Sequence, residues 1–303
     1  MTKRVAVIGS LNYDIIVKQQ RMPHQGETFI ADALIQGPGG KGANQAAQCA
    51  KLGMPTMMIG KVGQDRFGDA LVGSLAAIGV DTSYVKRIGS TGLGVVHVMP
   101  DGDYYSSILK GANELLTIQD IEEIAEELKE ASFIILQQEI PHHVTEHVIE
   151  RFKDSQIQIV LNNAPARSIS KNILQYVDLL VVNESEAAYM TGQPVTTIAE
   201  ATETGKELQQ ITGNTVIVTL GKEGSIVVNS KDSIYFPAKK VNAVDATGAG
   251  DSFIGALVYG LSQGFLLEEC MKFATEVSAI TVMKEGGQDS FPTKAEVSRI
   301  LVI

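Results

Sequence analysis

Short apolar runs alternate with helix-length amphipathic segments along the second half of the chain. The runs FIILQQE, IQIVLNN, DLLVVN and TVIVTLG are rich in β-branched residues and almost continuously apolar. Continuous apolarity is typical of strands that are buried on both faces, and strands that alternate with helices form parallel sheets. We therefore predict an α/β fold: a doubly wound, mainly parallel sheet with helices on both faces.

The first 110 residues follow a different pattern. Residues 14–36 and 84–109 have the pattern of paired β-strands inserted among helices, and the second stretch contains a Pro-Asp-Gly turn that predicts a hairpin. These two stretches are expected to form a small sheet that stands off the main one. No linker or internal repeat interrupts the chain, so residues 1–303 are expected to form a single domain with this small sheet as an appendage.

Helix signals complete the predicted order of elements. Helices are predicted at residues 42–53, 66–79, 118–130 and 142–153, and Thr117 is a suitable N-cap for the third. The strand-like segment KKVNAV, residues 239–244, precedes a glycine-rich turn, and the spacing of SFIGALVYGL predicts a helix after that turn.

Composition excludes several classes of protein. The 303 residues include 25 basic and 35 acidic side chains, and the net charge of −10 opposes binding to nucleic acid or to an anionic membrane. The N-terminal apolar run predicts a strand and not a signal peptide, and no segment approaches the roughly 18 apolar residues of a membrane span. Cys49 and Cys270 lack metal or redox spacing, so a cytoplasmic protein with reduced thiols is expected.

The segment DATGAGDSF, residues 245–253, places a carboxylate beside a glycine-rich turn at the start of a predicted helix. Backbone N–H groups and the helix dipole favour an anion at such a turn, and Gly248 and Gly250 allow close approach and unusual φ values. Asp251 would then be a general base that faces a hydroxyl group while the N–H groups hold phosphoryl oxygens. The alternative is an ordinary loop in which Asp251 is the N-cap.

A second glycine-rich segment, GPGGKGANQAAQCAKLG, occupies residues 37–53. Its glycines, among them Gly40, would let the backbone approach a ligand, and Lys41 and Asn44 share a face at the start of the predicted helix. The alternative is a flexible turn between a strand and a helix. Neither glycine-rich segment matches the Walker pattern of nucleotide-binding loops.

Polar residues at strand ends provide further candidates. Asn12 and Asp14 project to one side of a strand-like segment while Tyr13 projects to the other, and Gln137 and Glu139 alternate in the same way at the end of FIILQQE. Because ligands bind at the carboxyl ends of parallel strands, these pairs would suit a polyol. The alternative is simple solvation of the strand ends.

Two segments after later strands would suit a nucleotide. In NESE, Asn183 and Glu186 could form either a helix capping box or a network that binds nucleotide phosphate and magnesium. In TLGKEG, Thr219, Gly221 and Gly224 form either a nucleotide shelf or an ordinary turn.

The segment HVTEH, residues 143–147, matches the H-x-x-E-H pattern of some zinc peptidases. On a helix, His143 and His147 would lie on one face. Patterns of five residues arise by chance, and Pro141 indicates that a helix only begins there. Chance is therefore the preferred explanation.

Taken together, GGKGAN at residues 39–44 and DATGAGDSF resemble the motifs of the ribokinase family of carbohydrate kinases, and the resemblance covers nearly the whole chain. It implies a doubly wound fold with a small β-sheet lid over the sugar site. It also implies transfer of the γ-phosphate of ATP to a primary hydroxyl of a neutral pentose, with D-ribose as the first choice. Deoxyribokinase, nucleoside kinase and fructokinase activities are alternatives, and a non-catalytic sugar-binding regulator is an alternative of another class.

The resemblance also implies a role for each matching position. Asp251 would be the base, and the N–H groups of Gly248, Ala249 and Gly250 would form the anion hole. The other implied sites are a sugar site of Asn12, Asp14, Gly40, Lys41, Asn44 and Glu139, a nucleotide and magnesium site of Asn183 and Glu186, an ATP loop of Thr219, Gly221 and Gly224, and a monovalent-cation loop of Asp245, Thr247, Val282, Glu285, Gly287 and Ser290. ATP, Mg²⁺ and K⁺ are the implied cofactors, and a homodimer is implied because lid sheets in this family often pair between subunits.

Features of the implied sugar site bear on the substrate. Asp14, Glu139 and Asp251 are acidic and Lys41 is the only cation among the implied sugar contacts, which favours a neutral sugar over a sugar phosphate. The segment ILKGAN, residues 108–113, resembles deoxyribokinases more than typical ribokinases, and NNAPAR, residues 162–167, and Pro38 also depart from the usual ribokinase residues. The identity of the pentose therefore stays open.

Overall fold

The computed structural model describes residues 3–100 and 103–298. The strands in these ranges are β1 Val5–Ile8, β2 Asn12–Lys18, β3 Ala33–Gly39, β4 Thr56–Val62, β5 Val85–Arg87, β6 Gly92–Val98, β7 Tyr104–Leu109, β8 Phe133–Leu136, β9 Gln158–Asn162, β10 Leu179–Asn183, β11 Thr215–Thr219, β12 Gly224–Val228 and β13 Ser233–Pro237. The helices are α1 Lys41–Lys51, α2 Arg66–Ala77, α3 Ile118–Glu122, α4 Ala125–Leu128, α5 His142–Phe152, α6 Lys171–Leu174, α7 Glu184–Thr191, α8 Ile198–Thr212, α9 Ala249–Ser262, α10 Leu267–Thr281, α11 Gly287–Ser290 and α12 Lys294–Val297.

The main sheet has nine strands in the order β13-β12-β11-β10-β9-β8-β1-β4-β5. All neighbours from β11 to β5 pair in parallel, and β12 and β13 add an antiparallel edge that the sequence did not predict. Strand β1 lies inside the sheet, and the chain builds outward from it first through β4 and β5 and later through β8 to β11. The predicted doubly wound, mainly parallel α/β fold is thereby confirmed, with its switch point between β1 and β8.

Both faces of this sheet are buried under helices. Along β1, Val5 and Val7 belong to one core cluster with residues of α1, α9 and α10, whereas Ala6 and Ile8 belong to a second cluster with residues of α5 and α8. Because successive side chains of a strand point to opposite faces, a strand that is covered on both sides must be apolar at every position. That requirement explains the continuous apolar runs in the sequence.

The second sheet has four strands in the order β3-β2-β6-β7. Strand β2 pairs antiparallel with β3 and parallel with β6, and β6 and β7 form a hairpin. The predicted small sheet is present, but the stretch at 84–109 contributes only part of its length, because β5 lies at the edge of the main sheet beside β4. Of the predicted Pro-Asp-Gly turn, residues 101 and 102 lie outside the described residues.

Two local predictions were wrong. The predicted helix at 118–130 is divided into α3 and α4 around Glu123 and Ile124, although Thr117 caps its start and forms a capping box with Asp120 as expected. The segment 239–244 is irregular and not a strand, because β13 already closes that edge of the sheet. Across the ranges that the structure describes, none of the helices is long and apolar enough to span a lipid bilayer.

Candidate functional site

The predicted site residues meet at the carboxyl ends of the parallel strands, beside the switch point. A cavity of about 240 Å³ lies there. Its lining residues are Lys41, Asn162, Ala164, Val181, Asn183, Glu186, Thr219, Ala246, Gly248, Ala249, Gly250, Asp251 and Ile254. A larger hollow of about 570 Å³ lies at the amino ends of β8 and β9, but none of the predicted site residues lines it.

The turn before α9 is built around Gly248. This residue is the N-cap of α9 and has a left-handed φ of 76°. A Cβ there would lie 2.7 Å from the ring of Phe291, so both the backbone conformation and the space require glycine. Gly250 already has helical φ and faces open space, so the unusual φ expected for it is not found. Gly248, Ala249 and Gly250 line the cavity, and N–H groups at a helix start can bind an anion. The Ala249 N–H donates to the Ala246 carbonyl at 3.1 Å and would exchange that bond for one to the anion.

Asp251 is the third residue of α9, and the N-cap alternative for it was wrong. Its side chain instead accepts two hydrogen bonds from α1, one from the Asn44 Nδ2 at 2.9 Å and one from the Gln45 Nε2 at 2.9 Å. Burial raises the pKa of Asp251, and the Lys41 ammonium and the two amides partly offset that rise. The carboxylate is therefore desolvated, held by two donors and open to the cavity.

Lys41 begins α1 and lines the same cavity. Burial by itself would lower its pKa, but the surrounding carboxylates outweigh burial and raise that pKa overall. These carboxylates are Asp251, Glu139, Glu186 and Asp14. Lys41 is the only basic residue that lines the cavity within the described ranges, so a single ammonium group faces four acidic groups.

Gly40 fixes the backbone that joins the two sheets at this point. Its φ of 88° is left-handed, and a Cβ there would lie 2.5 Å from the backbone nitrogen of Asn12. The following N–H, that of Lys41, donates to the Glu139 Oε2 at 3.1 Å, and that oxygen also accepts from the Ser10 Oγ. The glycine therefore allows the start of α1, the end of β1 and the segment after β8 to meet.

Asn12, at the start of β2, is buried and held by another asparagine. The Nδ2 of Asn113 donates to the Asn12 Oδ1 at 2.7 Å, and the Asn113 Oδ1 accepts from the backbone N–H of Leu11 at 2.9 Å. This bond orients the Asn12 amide, whose N–H groups could donate to a ligand. Tyr13 points the other way and contacts the ring of Phe67, as the strand alternation predicts.

Asp14 lies on the small sheet between two glycines. A Cβ on Gly39 would lie 2.0 Å from the Asp14 Oδ2, and a Cβ on Gly94 would lie 2.4 Å from the Asp14 Oδ1. Burial, with the nearby carboxylates of Glu139 and Asp251, raises the pKa of Asp14 to about 7 although the Lys41 ammonium lowers it. The glycines thus make room for a carboxylate where electrostatics disfavour its charge.

Asn183 and Glu186 form a capping box at the start of α7. The Asn183 Oδ1 accepts from the Glu186 N–H at 2.8 Å, and the Glu186 Oε2 accepts from the Asn183 N–H at 2.8 Å. Both residues also line the cavity, and burial raises the pKa of Glu186. A capping role and a role toward a hydrated magnesium ion are therefore compatible, because one oxygen of Glu186 is not used by the cap.

The predicted ATP loop is only partly at the cavity. Thr219 lines it, whereas Gly221 begins a short 3-10 helix, Gly221–Glu223, and Gly224 follows that helix; neither glycine lines the cavity. A Cβ on Gly224 would lie 2.1 Å from the carbonyl oxygen of Phe236, so close packing against β13 explains this glycine.

The predicted cation loop brings most of its residues together beside the α9 turn. The Asp245 carboxylate accepts from the backbone N–H groups of Thr247 at 2.8 Å and Gly286 at 3.1 Å, and the Val282 carbonyl accepts from the Asp245 N–H. The Ser290 hydroxyl donates to the Gly287 carbonyl at 2.8 Å. The Glu285 side chain turns outward instead and lies 3.8 Å from the Lys18 ammonium.

This loop offers a donor set of hard oxygens. Burial by itself would raise the pKa of Asp245, but hydrogen bonds from Thr247 and Gly286 lower it overall, so this carboxylate is ionised. Apart from Glu285, the other oxygens of the predicted loop are neutral carbonyl and hydroxyl groups, and the Val282 carbonyl already accepts from the N–H groups of Val244 and Asp245. One full negative charge with neutral oxygens suits a monovalent cation better than zinc.

The H-x-x-E-H segment lies on α5 and has other partners. His147 contacts Glu122 at 2.7 Å, and His143 is exposed. Over residues 3–100 and 103–298, no group of three His, Cys, Asp or Glu side chains is arranged to hold a metal ion. The zinc-peptidase alternative has no support in this geometry.

Several contributors to the site were not assigned by sequence reasoning. Gln45, Asn113, Asn162 and Ser10 each hydrogen-bond to a predicted site residue or line the cavity. The available signal was a polar side chain within an otherwise apolar or small-residue run, as in GANQAAQCA. Such a side chain is buried only when it has a partner, but the sequence does not identify that partner.

Comparison with known proteins agrees with this geometry. Residues 2–294 match the model of the pfkB family of carbohydrate kinases. The chain is 38% identical to a deoxyribokinase of Salmonella typhimurium, with 98% of each protein covered. It is 33% identical to a ribokinase of Bacillus subtilis, with 99% of each covered.

Solved structures give the same result for the fold. The ribokinase of Thermotoga maritima superposes with a TM-score of 0.90 at 33% identity over 99% of each chain. The ribokinase of Arabidopsis thaliana, solved with ribose and ATP, superposes with a TM-score of 0.90 at 31% identity over the whole of both chains. The chain therefore belongs to the pfkB family of carbohydrate kinases, and it is a kinase that phosphorylates sugars.

Proposed function

We propose that this kinase transfers the γ-phosphoryl group of ATP to a primary hydroxyl of a neutral pentose, with D-ribose as the first candidate. Asp251 is the general base in this proposal, and the N–H groups of residues 248–250 form the anion hole. The observation that carries the proposal is the shared cavity in which Asp251, the α9 turn and Lys41 meet. It combines a base, an anion-binding helix start and a cation within one space of about 240 Å³.

The chemistry divides between these groups. The sugar hydroxyl gives its proton to the Asp251 carboxylate as its oxygen attacks phosphorus. Charge on the transferring phosphoryl group is met by the N–H groups of the α9 turn and by the Lys41 ammonium, which the fold positions before the reaction. Magnesium that accompanies ATP would neutralise phosphate charge, and Glu186 and Asn183 would hold its water ligands.

The acidic surroundings support a neutral sugar. Asp14, Glu139 and Asp251 raise the pKa of Lys41 because their negative charges outweigh the effect of its burial. A phosphorylated sugar would bring a further anion toward these carboxylates. Sugar hydroxyls, in contrast, can donate to Asp14 and Glu139 and accept from the Asn12 amide.

A second candidate is 2-deoxy-D-ribose. The observation that favours it is the 38% identity to a deoxyribokinase, against 31–33% to the ribokinases compared above. The two sugars differ by one hydroxyl, and a site that hydrogen-bonds this hydroxyl rejects the analogue that lacks it. The ratio of kcat/KM for the two sugars therefore decides between the candidates.

The test is ATP-dependent release of ADP with ribose, deoxyribose, fructose and nucleosides. Each sugar is assayed with magnesium, with K⁺ or with an equal concentration of tetramethylammonium. The proposal predicts the highest kcat/KM for a pentose and a higher rate with K⁺. Binding of a sugar without any ADP release would instead support the regulator alternative and overturn the proposal.

The base is tested by Asp251→Asn. Its shape is kept, so sugar binding measured by calorimetry should persist while kcat falls by about 10²–10⁴. Asp154→Asn, which changes an exposed aspartate, is the matched control and should leave kcat unchanged. Turnover of Asp251→Asn near that of the parent would refute the assignment.

The single-domain arrangement, the lid role of the small sheet, the homodimer and the cytoplasmic location belong to the same proposal. One face of the small sheet exposes Leu34, Tyr105 and Leu109, with 57%, 60% and 52% of their surface accessible. An exposed apolar sheet face of this kind supports pairing with a second copy. Light scattering across a range of concentrations should give the mass of two chains, and Leu109→Glu should give the mass of one.

A further inference from the structure

The Asp251 carboxylate is held by two amides, and each of those amides is held by a further glutamine. Asn44 and Gln45 donate to the two oxygens of Asp251 at 2.9 Å each. The Asn44 Oδ1 accepts from the Gln288 Nε2 at 3.1 Å, and the Gln45 Oε1 accepts from the Gln137 Nε2 at 2.7 Å. We call Asn44 and Gln45 the inner amides, and Gln137 and Gln288 the outer glutamines.

All of these side chains are buried, and they come from distant parts of the chain. Gln45 and Gln137 are fully inaccessible, and Asn44 and Gln288 are 6% and 4% exposed. The inner amides lie on α1, Gln288 lies on α11, and Gln137 follows β8. None of the four lines the cavity, so their contacts act on Asp251 and not directly on a ligand there.

The orientation of a side-chain amide is a matter of polarity and not of shape. Its oxygen and NH₂ group are nearly the same size, so a half-turn exchanges a donor for an acceptor at little steric cost. A turned Gln45 would place its oxygen against the Asp251 carboxylate and its NH₂ group against the NH₂ group of Gln137. The bond from Gln137 therefore opposes a half-turn of Gln45 by itself, and the bond from Gln288 opposes it for Asn44. Gln45 is held in the same orientation by Asn162, whose Oδ1 accepts from the Gln45 Nε2 at 3.2 Å.

The outer glutamines carry an energetic cost that packing does not explain. Among the described residues, Gln137 Oε1 and Gln288 Oε1 are buried and have no hydrogen-bond partner. A buried acceptor without a donor destabilises the fold, and an apolar side chain of similar shape would avoid that penalty. A Cβ on Gly9 would lie 1.9 Å from the Gln137 Oε1, so the backbone also leaves room specifically for this side chain.

We infer that Gln137 and Gln288 are positioning residues, which lock the inner amides with their N–H groups toward Asp251 so that the ionised carboxylate is stabilised and the protonated carboxyl is not. This inference rests on the proposed role of Asp251 as the base. If the inner amides could turn, their oxygens would accept a hydrogen bond from a protonated Asp251. The hydrogen bonds from the outer glutamines oppose that rotation, so the inner amides stabilise the ionised form.

Other charged groups near Asp251 also affect its ionisation. The Lys41 ammonium favours the ionised form, whereas Glu139, Asp14 and Glu186 oppose it. These groups remain in place when an outer glutamine is replaced. A change in the titration of the base is then assigned to the amides and not to the surrounding charges.

The experiment measures the pH profile of kcat for Gln137→Met, which keeps the length of the side chain and removes its N–H donors. We expect the acid limb to move up by about 0.5–1 pH unit, because the loss of one neutral hydrogen bond, through which Gln137 orients Gln45, changes the balance by about that amount. At a pH on that limb kcat should fall about 3–10-fold, while KM for sugar and for ATP stays within about twofold. On the alkaline plateau, kcat should match the parent.

Matched controls separate positioning from packing. Gln138 is equally buried and adjacent, but its side-chain oxygen faces His142, so Gln138→Met should leave the acid limb in place. Gln288 orients Asn44, so Gln288→Met should also move the acid limb to higher pH. Gln48→Met, which loses a contact to the Pro292 carbonyl instead, should not move it.

A double variant tests whether Gln137 acts through Gln45. In a Gln45→Met background, adding Gln137→Met should produce no further shift, because the amide that it orients is gone. An unmoved limb in Gln137→Met and Gln288→Met, or a full second shift in the double variant, would overturn the inference. The proposed function survives a failure of this inference if Asp251→Asn is inactive in the same assay. An active Asp251→Asn would overturn both the inference and the proposed function.

Discussion

Asparagine in place of Asp14 should make the ligand-free fold more stable at pH 8 while weakening sugar binding. The carboxyl is mostly buried on the small sheet, and burial together with Glu139 and Asp251 raises its pKa from 3.8 to about 7. Between pH 3.8 and about pH 7, the folded chain therefore keeps a proton on Asp14 that the unfolded chain has released. Asparagine is neutral at every pH and nearly the same shape, so it removes this titration.

The sign and size follow from linkage. Because the folded pKa is the higher one, the contribution of the Asp14 proton is fully present below pH 3.8 and is lost as the pH rises to about 7. At about 1.4 kcal/mol for each unit, the shift of about three units corresponds to about 4 kcal/mol in total. About 3 kcal/mol of this is lost between pH 5 and pH 8.

The assay is urea unfolding of the ligand-free protein, followed by circular dichroism at pH 5 and pH 8. We expect the free energy of unfolding of Asp14→Asn, relative to the parent, to increase by about 3 kcal/mol between the two pH values. Asp154→Asn, at an exposed position, is the control and should give no such difference. Parallel loss of stability in Asp14→Asn and the parent would show that the carboxyl is not desolvated in the folded chain.

Three further predictions concern the same site. Lys41→Met should lower kcat and move its acid limb to higher pH, because the cation that favours ionised Asp251 is lost; an unchanged pH profile would contradict this. Gly248→Ala should reduce kcat by about tenfold or more with a smaller effect on sugar binding, since a Cβ would meet Phe291 at 2.7 Å and disturb the anion hole, and single-turnover kinetics would detect the change. Asn113→Leu should raise KM for the sugar by about fivefold or more, because the bond at 2.7 Å that orients the neighbouring Asn12 amide is lost, and equilibrium binding of the sugar would check it.

Local chemistry made much of the fold predictable. Strands such as FIIL and LLVV are apolar at every position because helices cover both faces of the sheet, and this pattern is readable one segment at a time. Capping residues such as Thr117 and Asn183 act within three residues of their partners, so their roles were also visible. Two features were not predicted: the antiparallel edge of β12 and β13, and the break between α3 and α4. Both depend on which elements pack beside them.

The candidate site was readable only in part. The two glycine-rich segments identified the turn at Gly248 and the start of α1, because a left-handed φ requires glycine wherever it occurs. Their glycines are not equivalent in the structure, however. Gly250 adopts ordinary helical φ, and Gly224 is required by packing against β13 and not by the cavity.

The parallel sheet, the helix starts and the residue types of the site could be predicted from the sequence, since each depends on short-range periodicity and backbone conformation. The interactions of those residues depend on the folded chain. Gln45 is 206 positions from Asp251, and Asn44 is 244 positions from Gln288, yet each pair is hydrogen-bonded. The raised pKa of Asp14 likewise arises from burial and from carboxylates on other elements, and desolvation and Coulomb interactions depend on distance in space and not along the chain.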